Sequence, residues 1–178
     1  METKVPFYNI VNIFLPGLVF LGSCVFLFLD EVSALVQAVV NLGSTGFEVL
    51  VTVALFAIAY EIGYILFRIG TVAIEPLLKK IFGWAAYEDF LAAGKTGEKE
   101  YDKLDMHSRE YGYALTHITL LIVLTILTGI RTQWWIMVGC IICVALFIFS
   151  VQSHMMQTQK AVKKYLSASS SESGGGND

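Results

Sequence analysis

The chain has 178 residues, of which 56% are hydrophobic and only 15% are charged, whereas a typical soluble domain carries about 25% charged residues. This composition excludes an ordinary soluble globular protein, and the length leaves room for one membrane bundle with a modest soluble part. The net charge of −3 provides no dominant basic surface, so direct binding of nucleic acid is not expected.

Four apolar segments predict membrane-spanning helices, at residues 10–29, 49–67, 113–130 and 134–151. Each holds about 18–20 residues, close to the ~20 that a hydrocarbon core of ~30 Å requires. Backbone groups cannot remain unpaired at that depth, so we expect each span to be an α-helix. The predicted fold is an all-α integral membrane four-helix bundle, with the lipid bilayer as its solvent and helical extensions outside it.

The first span follows a short N-terminal segment, residues 1–9, and contains Pro16. A proline removes one backbone hydrogen bond, which neighbouring membrane helices can compensate. We interpret Pro16 as a packing device, and a gating hinge is the alternative. The segment 30–48 is apolar but too short to cross the bilayer, so we expect an interfacial helix there; a re-entrant pore element is the alternative.

The second span carries Glu61, and an ionisable residue inside a span is a functional hypothesis by default. If Arg68 marks the membrane boundary, Glu61 lies about 10 Å deep. We expect His117 of the third span to be its partner, with Tyr64 and Asn12 as further polar neighbours. Three roles remain open for Glu61: a hydrogen-bonding contact between helices, a proton-coupled group or one that lines an ion path, and a switch that responds to protonation or voltage.

Several small residues in the second span permit close helix approach, although they form no GxxxG motif. They predict that this span is an interior helix of the bundle and that the protein self-associates. The residues are Ala54, Ala57, Ala59, Gly63 and Gly70.

The segment 68–112 joins the second and third spans. Its first part is amphipathic, and Lys79, Lys80 and Trp84 predict an anchor at the inner membrane interface. Pro76 restricts the predicted helix here to the residues that follow it. Residues 98–110 predict a charged helix that continues into the third span, in which Asp105 and Arg109 are spaced to pair.

Residues 131–133 alone join the third and fourth spans, which predicts a tight antiparallel hairpin. Trp134 and Trp135 are typical of the outer membrane interface. The fourth span is expected to continue as a cytoplasmic helix over 152–166. The polar, low-complexity tail 167–178 is expected to be disordered.

The distribution of positive charge predicts the orientation. Of the 12 Lys and Arg residues, only Arg131 lies on the side opposite the termini. Because cytoplasmic loops carry the excess of Lys and Arg, both termini and the segment 68–112 should be cytoplasmic. We therefore expect a multi-pass protein of a plasma membrane, which in a bacterium is the cell inner membrane.

The sequence contains no signature of catalysis, metal binding or a cofactor. Cys140 and Cys143 resemble a redox or metal pair, but no His or third Cys joins them at the same depth. His107 and His154 are expected to be solvated, and no nucleophile–base pair or phosphate-binding loop is recognisable. We expect a protein that is not an enzyme and has no cofactor.

Two short motifs, residues 13–18 (IFLPGL) and 60–64 (YEIGY), resemble small four-span bacterial membrane proteins of anti-phage loci. The membrane component of the Kiwa system belongs to this group. The resemblance implies a homo-oligomer that senses disturbance at the membrane and passes it to a cytoplasmic protein partner. Two functions are carried forward: an oligomeric membrane sensor or scaffold in antiviral defence, and an oligomeric pore or ion-conducting protein that uses Glu61.

Overall fold

The protein is described by a computed structural model, which covers residues 7–41, 45–83, 89, 92 and 98–173. All regular structure in these residues is helical, which confirms the all-α fold class. The elements are α1 (Phe7–Leu27), α2 (Leu29–Asn41), α3 (Thr45–Ile69), a π-helical turn (Gly70–Ile74), α4 (Glu75–Phe82), α5 (Glu98–Ile130) and α6 (Trp134–Ser173).

Three stretches of the described chain are helical, long and apolar enough to cross a membrane. They are Gly46–Phe82, Arg109–Ile130 and Trp134–Lys164, and Val11–Leu27 is a shorter apolar helix. These four stretches contain the predicted spans apart from a few terminal residues. The structure therefore supports a multi-pass membrane protein.

The helices form two hairpins that are joined through α5. One hairpin pairs α1 with α3 and the other pairs α5 with α6, while α5 also contacts both helices of the first pair. Within an apolar window of 18 residues, 44% of the α5 residues are buried, against 17% in the stretch that contains α3 and 11% in that of α6. The predicted interior position of the second span is therefore wrong, because α5 is the central helix.

Small residues on α3 serve one close contact, with the backbone of α1. A Cβ atom added to Gly63 would lie 1.8 Å from the carbonyl oxygen of Ile13, and one added to Gly17 would lie 1.8 Å from that of Ala59. No side chain fits in such a gap, so both positions require glycine. Ala59 and Gly63 form a small-xxx-small pair, whereas Ala54 on the same helix is exposed. Small residues therefore occur on both the buried and the exposed face of α3, and only Ala59 and Gly63 make the contact with α1.

The central helix α5 buries threonines at its contacts. Thr116, Thr119 and Thr128 are each 1% exposed. Each hydroxyl donates a hydrogen bond to the carbonyl four residues earlier, at distances of 3.0, 2.9 and 2.8 Å. Because their polar groups are satisfied within the helix, these residues can occupy an apolar interior.

Helix α4 begins at Glu75 with Pro76 in its first turn, as the sequence predicts, and the π-helical turn joins it to α3 without a break. Proline lacks an N–H, and in a regular helix its ring would clash with the carbonyl of the residue four positions earlier. The wider π-helical turn directly before it, closed by a bond from the Glu75 N–H to the Gly70 carbonyl, accommodates the ring. Helix α4 ends at Gly83, whose φ of 74° suits glycine.

The extension end is the end of the bundle at which α5 begins and α6 ends. Near this end α4, α5 and α6 share a core cluster of Leu78, Tyr111, Ala114, Leu115, Ile118, Val151 and Met155. The buried face of α6 continues through Thr158 and Val162. Both predicted helical continuations are confirmed, and α6 extends further than expected.

Helix α6 includes the first seven residues of the tail that was predicted to be disordered, 167–173. No glycine or proline interrupts the chain between Gly139 and Gly174, so nothing in the backbone ends the helix earlier. Residues 174–178 lie outside the described part of the chain.

The other end, here called the turn end, contains α2 and the short connection between α5 and α6. The connection confirms the predicted hairpin. Thr132 has a φ of 56°, and the N–H of Gln133 bonds to the Thr128 carbonyl at 2.9 Å. Arg131 forms an ion pair with Glu31 of α2, and its guanidinium carbon lies 4.1 Å from the centre of the Phe28 ring. Arg131 therefore links α2 to the turn, while the position of α2 relative to a bilayer stays a prediction.

Candidate functional site

Glu61 lies on the exposed face of α3. The buried residues Ala59, Gly63, Leu66 and Gly70 share the opposite face, which contacts α1 and α5. Within the described part of the chain, no hydrogen bond or ion pair involves the Glu61 carboxyl group. Glu61 is therefore directed away from the bundle, towards whatever surrounds a single copy of the chain.

His117 contacts α6 instead of Glu61, so the predicted pairing is not formed within the chain. Its Nδ1 lies 3.0 Å from the carbonyl oxygen of Tyr113, and its ring stacks on Phe147 with centroids 5.4 Å apart. A carbonyl oxygen only accepts, so Nδ1 carries a proton. The half-buried imidazole is held by its own helix and by α6, which fixes it on the far side of α5 from Glu61.

Arg68 and Tyr64 lie on the same side of α3 as Glu61. The Arg68 Nε donates a hydrogen bond of 2.9 Å to the Tyr64 hydroxyl, and the guanidinium carbon lies 4.9 Å from the ring centre. Arg68 follows Glu61 by seven residues, about 10 Å along the helix. Glu61, Tyr64 and Arg68, here called the Glu61 stripe, form a polar line on a face that the chain itself leaves uncovered.

Asn12 occupies a different place, a cleft between α1, α3 and α5 at the extension end. The cleft has a volume of about 330 Å³. The residues that line it are Asn12, Ile13, Phe67, Arg109, Gly112, Tyr113 and Thr116. We call it the Arg109 cleft. The structure thus divides the five intramembrane candidates among three places: the Glu61 stripe, the His117 contact with α6, and this cleft.

The predicted interface anchor is described in part. Lys79 is partly exposed and pairs with Glu75, with a distance of 2.6 Å between the charged atoms. Lys80 is exposed. Trp84 and the side chains of Asp105 and His107 lie outside the described residues, as does the predicted pairing of Asp105 with Arg109.

His154 was expected to be solvated, and this expectation is wrong. Its ring is half-buried at the extension end, where Nδ1 lies 3.5 Å from a carboxylate oxygen of Glu110. The two residues come from α6 and α5 respectively, so they add a polar contact across the hairpin. The sequence offers no direct signal for this pair, because its members are 44 positions apart.

The described residues do not bring together a recognisable reactive group. No cluster of three or more His, Cys, Asp or Glu side chains occurs among them. Cys140 is buried and Cys143 is exposed. The candidate groups are suited to electrostatic contacts and hydrogen bonds with a partner, a lipid or an ion.

Comparisons of this chain with family models, with curated proteins and with solved structures found no match. The function must therefore be argued from the Glu61 stripe, the Arg109 cleft and the distribution of charge between the two ends.

Proposed function

We propose that the protein is a non-enzymatic, homo-oligomeric membrane protein that senses the state of the bilayer and couples it to a cytoplasmic effector. The observation that carries the proposal is the position of Glu61, an ionisable residue in an apolar helix that faces outward and has no partner among the described residues.

The cost of exposing Glu61 to lipid favours self-association. A charged side chain at the centre of a membrane helix costs about 2.5–3.5 kcal/mol on insertion scales. A second copy packed against the Glu61 stripe replaces lipid with protein and offers hydroxyl donors at the same depth, including Tyr60 and Tyr64. Ala57, one turn from Glu61 on the same exposed face, leaves room for a neighbouring helix.

The coupling role is supported by the asymmetry of the two ends. The helical extensions, the core cluster that joins α4 to the α5–α6 hairpin, and the exposed Lys80 all lie at the extension end. Following the bias of positive charge, we place this end and both termini in the cytoplasm of a bacterial inner membrane. The extension end then provides a folded helical surface to which an effector can bind, whereas the turn end consists of α2 and a short connection.

The sensing role uses the contact between the two hairpins. A change in bilayer thickness or tension acts on the spans, and the long helices α5 and α6 extend from the spans to the extension end without interruption. Because two sequence motifs resemble proteins of anti-phage loci, we propose that viral attack causes the change in the bilayer.

The alternative function is a pore, and the same exposed carboxyl group favours it. In a ring of subunits, outward-facing Glu61 side chains could meet around a central axis, and rings of acidic side chains select cations. This alternative requires a conducting path between subunits, which the sensor does not.

The first experiment counts subunits in nanodiscs that contain the full-length protein. We expect a homo-oligomer for the wild type and a loss of association for Ala57→Trp, which places bulk on the Glu61 face. Ile126→Trp is the control, because Ile126 is an exposed residue of α5. A monomeric wild type, or equal effects of the two tryptophans, would contradict the proposal.

The second experiment separates the two functions by measuring cation flux through proteoliposomes. Flux that Glu61→Gln abolishes supports the pore. Tight vesicles, together with co-purification of a cytoplasmic protein that is lost when residues 152–173 are deleted, support the sensor. Tight vesicles and no bound protein would leave both functions without support.

A further inference from the structure

The Arg109 cleft lies at the depth where lipid headgroups are found. Arg109 and Glu110 are the last charged residues before the segment 113–130, which contains none, and Asn12 lies near the start of the apolar segment 10–29. The cleft therefore lies where α5 passes from charged to apolar residues, which is the pattern expected at the boundary between the hydrocarbon core and the headgroup region. Its volume of about 330 Å³ falls within the range of roughly 300–1,000 Å³ that is usual for ligand pockets.

The lining of the cleft combines a cation with an apolar wall. Arg109 supplies a guanidinium, Asn12 an amide, and Ile13 and Phe67 the apolar surface. The guanidinium has five N–H donors in a planar fork that matches phosphate oxygens. It can therefore bind a phosphate while it keeps a contact with another residue. The described lining contains no acidic side chain, so charge complementarity favours an anion.

A second groove between the hairpins, near the turn end, provides a comparison for the Arg109 cleft, because its described lining lacks a cation. It has a similar volume, about 340 Å³, but its lining has no ionisable group. Its members include Gly22, Ser23, Leu124 and Thr128. Among the described lining residues, Arg109 thus distinguishes the cleft from the second groove.

We propose that the Arg109 cleft binds the headgroup of an anionic phospholipid. The phosphodiester oxygens accept hydrogen bonds from Arg109 and Asn12, and the acyl chain lies along Ile13 and Phe67. Because α1, α3 and α5 all border the cleft, the lipid contacts both hairpins at once and stabilises their packing. The inference requires that the chain cross a bilayer, but not that it form oligomers or bind an effector.

The test is a binding titration of the full-length protein in a mild, uncharged detergent. The thermal unfolding midpoint is measured against added phosphatidylglycerol, phosphatidylcholine and inorganic phosphate. We expect saturable stabilisation by phosphatidylglycerol, and little from the other two. Equal stabilisation by phosphatidylcholine would overturn the preference for an anionic lipid, and full stabilisation by inorganic phosphate would show a free anion site.

Variants locate the binding. Arg109→Gln removes the charge and should weaken phosphatidylglycerol binding about tenfold or more, since a hydrogen bond to a charged group contributes about 1.5–3 kcal/mol. Arg109→Lys should retain part of the affinity. Gly112→Leu fills the cleft without a clash, because an added Cβ meets the Phe67 ring at 3.6 Å, and it should abolish binding even if Arg109→Gln fails to fold.

Gly22→Leu is the matched control, because it fills the second groove and an added Cβ there meets nothing within 4 Å. It should bind phosphatidylglycerol as the wild type does. Wild-type affinity in Gly112→Leu, or an equal loss in Gly22→Leu, would overturn the assignment of the lipid to the Arg109 cleft.

Discussion

Thr132 illustrates how a single residue can limit stability at the turn end. Its φ of 56° lies in the left-handed region, which costs a residue with a side chain about 1–2 kcal/mol. The N–H groups of Thr132 and Gln133 bond to the carbonyls of Gly129 and Thr128, the Schellman pattern in which glycine usually occupies the left-handed position. The turn is formed correctly, but with a strained residue.

We predict that Thr132→Gly raises the unfolding free energy by about 1 kcal/mol, because it removes the Cβ that causes the strain. The measurement is the apparent thermal midpoint in detergent. Thr132→Ala is the control, since it removes the hydroxyl and keeps the Cβ. If alanine stabilises the protein as much as glycine does, backbone strain is not the cause.

Glu31 gives the turn end a dependence on pH. The hydrogen bond from Arg131 lowers the pKa of Glu31 from its ordinary value of 4.5. The folded-state pKa is thus below the unfolded one, so the contact stabilises the protein fully above pH 4.5 and loses its contribution as the pH falls through the lowered value.

We predict that acidification from pH 7 to pH 3 releases α2 from the turn. The measurement is amide hydrogen exchange in α2, corrected for the intrinsic effect of pH on exchange. Glu31→Gln should show fast exchange at both pH values, while Asp30→Asn, a neighbouring change on the same helix, should keep the wild-type profile. A wild-type profile in Glu31→Gln would assign the pH dependence to another group.

At the scale of helices, the contact between α1 and α3 leaves the least space for an added Cβ atom among the described glycines. We predict that Gly63→Ala destabilises the protein by at least about 1–3 kcal/mol, the usual cost of overpacking, because the added methyl group must push the Ile13 carbonyl away. The reference is Gly139→Ala on α6, where an added Cβ meets nothing within 4 Å.

Both glycine substitutions give the same gain in helix propensity, so the difference between them isolates the helix contact. Thermal midpoints in the same detergent provide the comparison. If the two variants are equally stable, α1 and α3 do not approach as closely as described.

The positions of the helices could be predicted from the sequence, but which face of each helix is buried could not. The length of the apolar segments was sufficient to predict the spans. The three-residue connection 131–133 was sufficient to predict the hairpin of α5 and α6. The direction of Glu61 depends on which face of α3 is buried, and that face is set by Gly17, a residue of another helix. The sequence of one helix contains no information about which residues of another helix it contacts. For this reason His117 was expected to pair with Glu61, although the pair is not formed within the chain.

The start of α4 near Pro76 was predicted correctly, but the continuous connection to α3 and the helical part of the tail were not. The rule that proline begins or ends a helix assumes α-helical hydrogen bonds, and the π-helical turn before Pro76 avoids that assumption. The composition of the tail predicts disorder because it offers no apolar face, yet α6 continues through 167–173 because no residue there ends the helix.

At the scale of the whole molecule, the distribution of positive charge along the chain predicts a topology. Every Lys and Arg except Arg131 belongs to the extension end, the termini or the segment 68–112. Arg131, the exception, is neutralised by Glu31 and covered by Phe28. The bias that orients membrane proteins counts Lys and Arg residues, and Arg131 is one of 12, so the bias predicts that the side opposite the turn end is cytoplasmic.

We therefore predict that the turn end is outside the cell. In a variant that lacks Cys24, Cys140 and Cys143, a membrane-impermeant maleimide added to intact cells should label Thr132→Cys and not Ser167→Cys. Permeabilised cells should label both, which controls for the reactivity of each thiol. Labelling of Ser167→Cys in intact cells would reverse the orientation, move the folded extensions outside, and so remove the basis for a cytoplasmic effector.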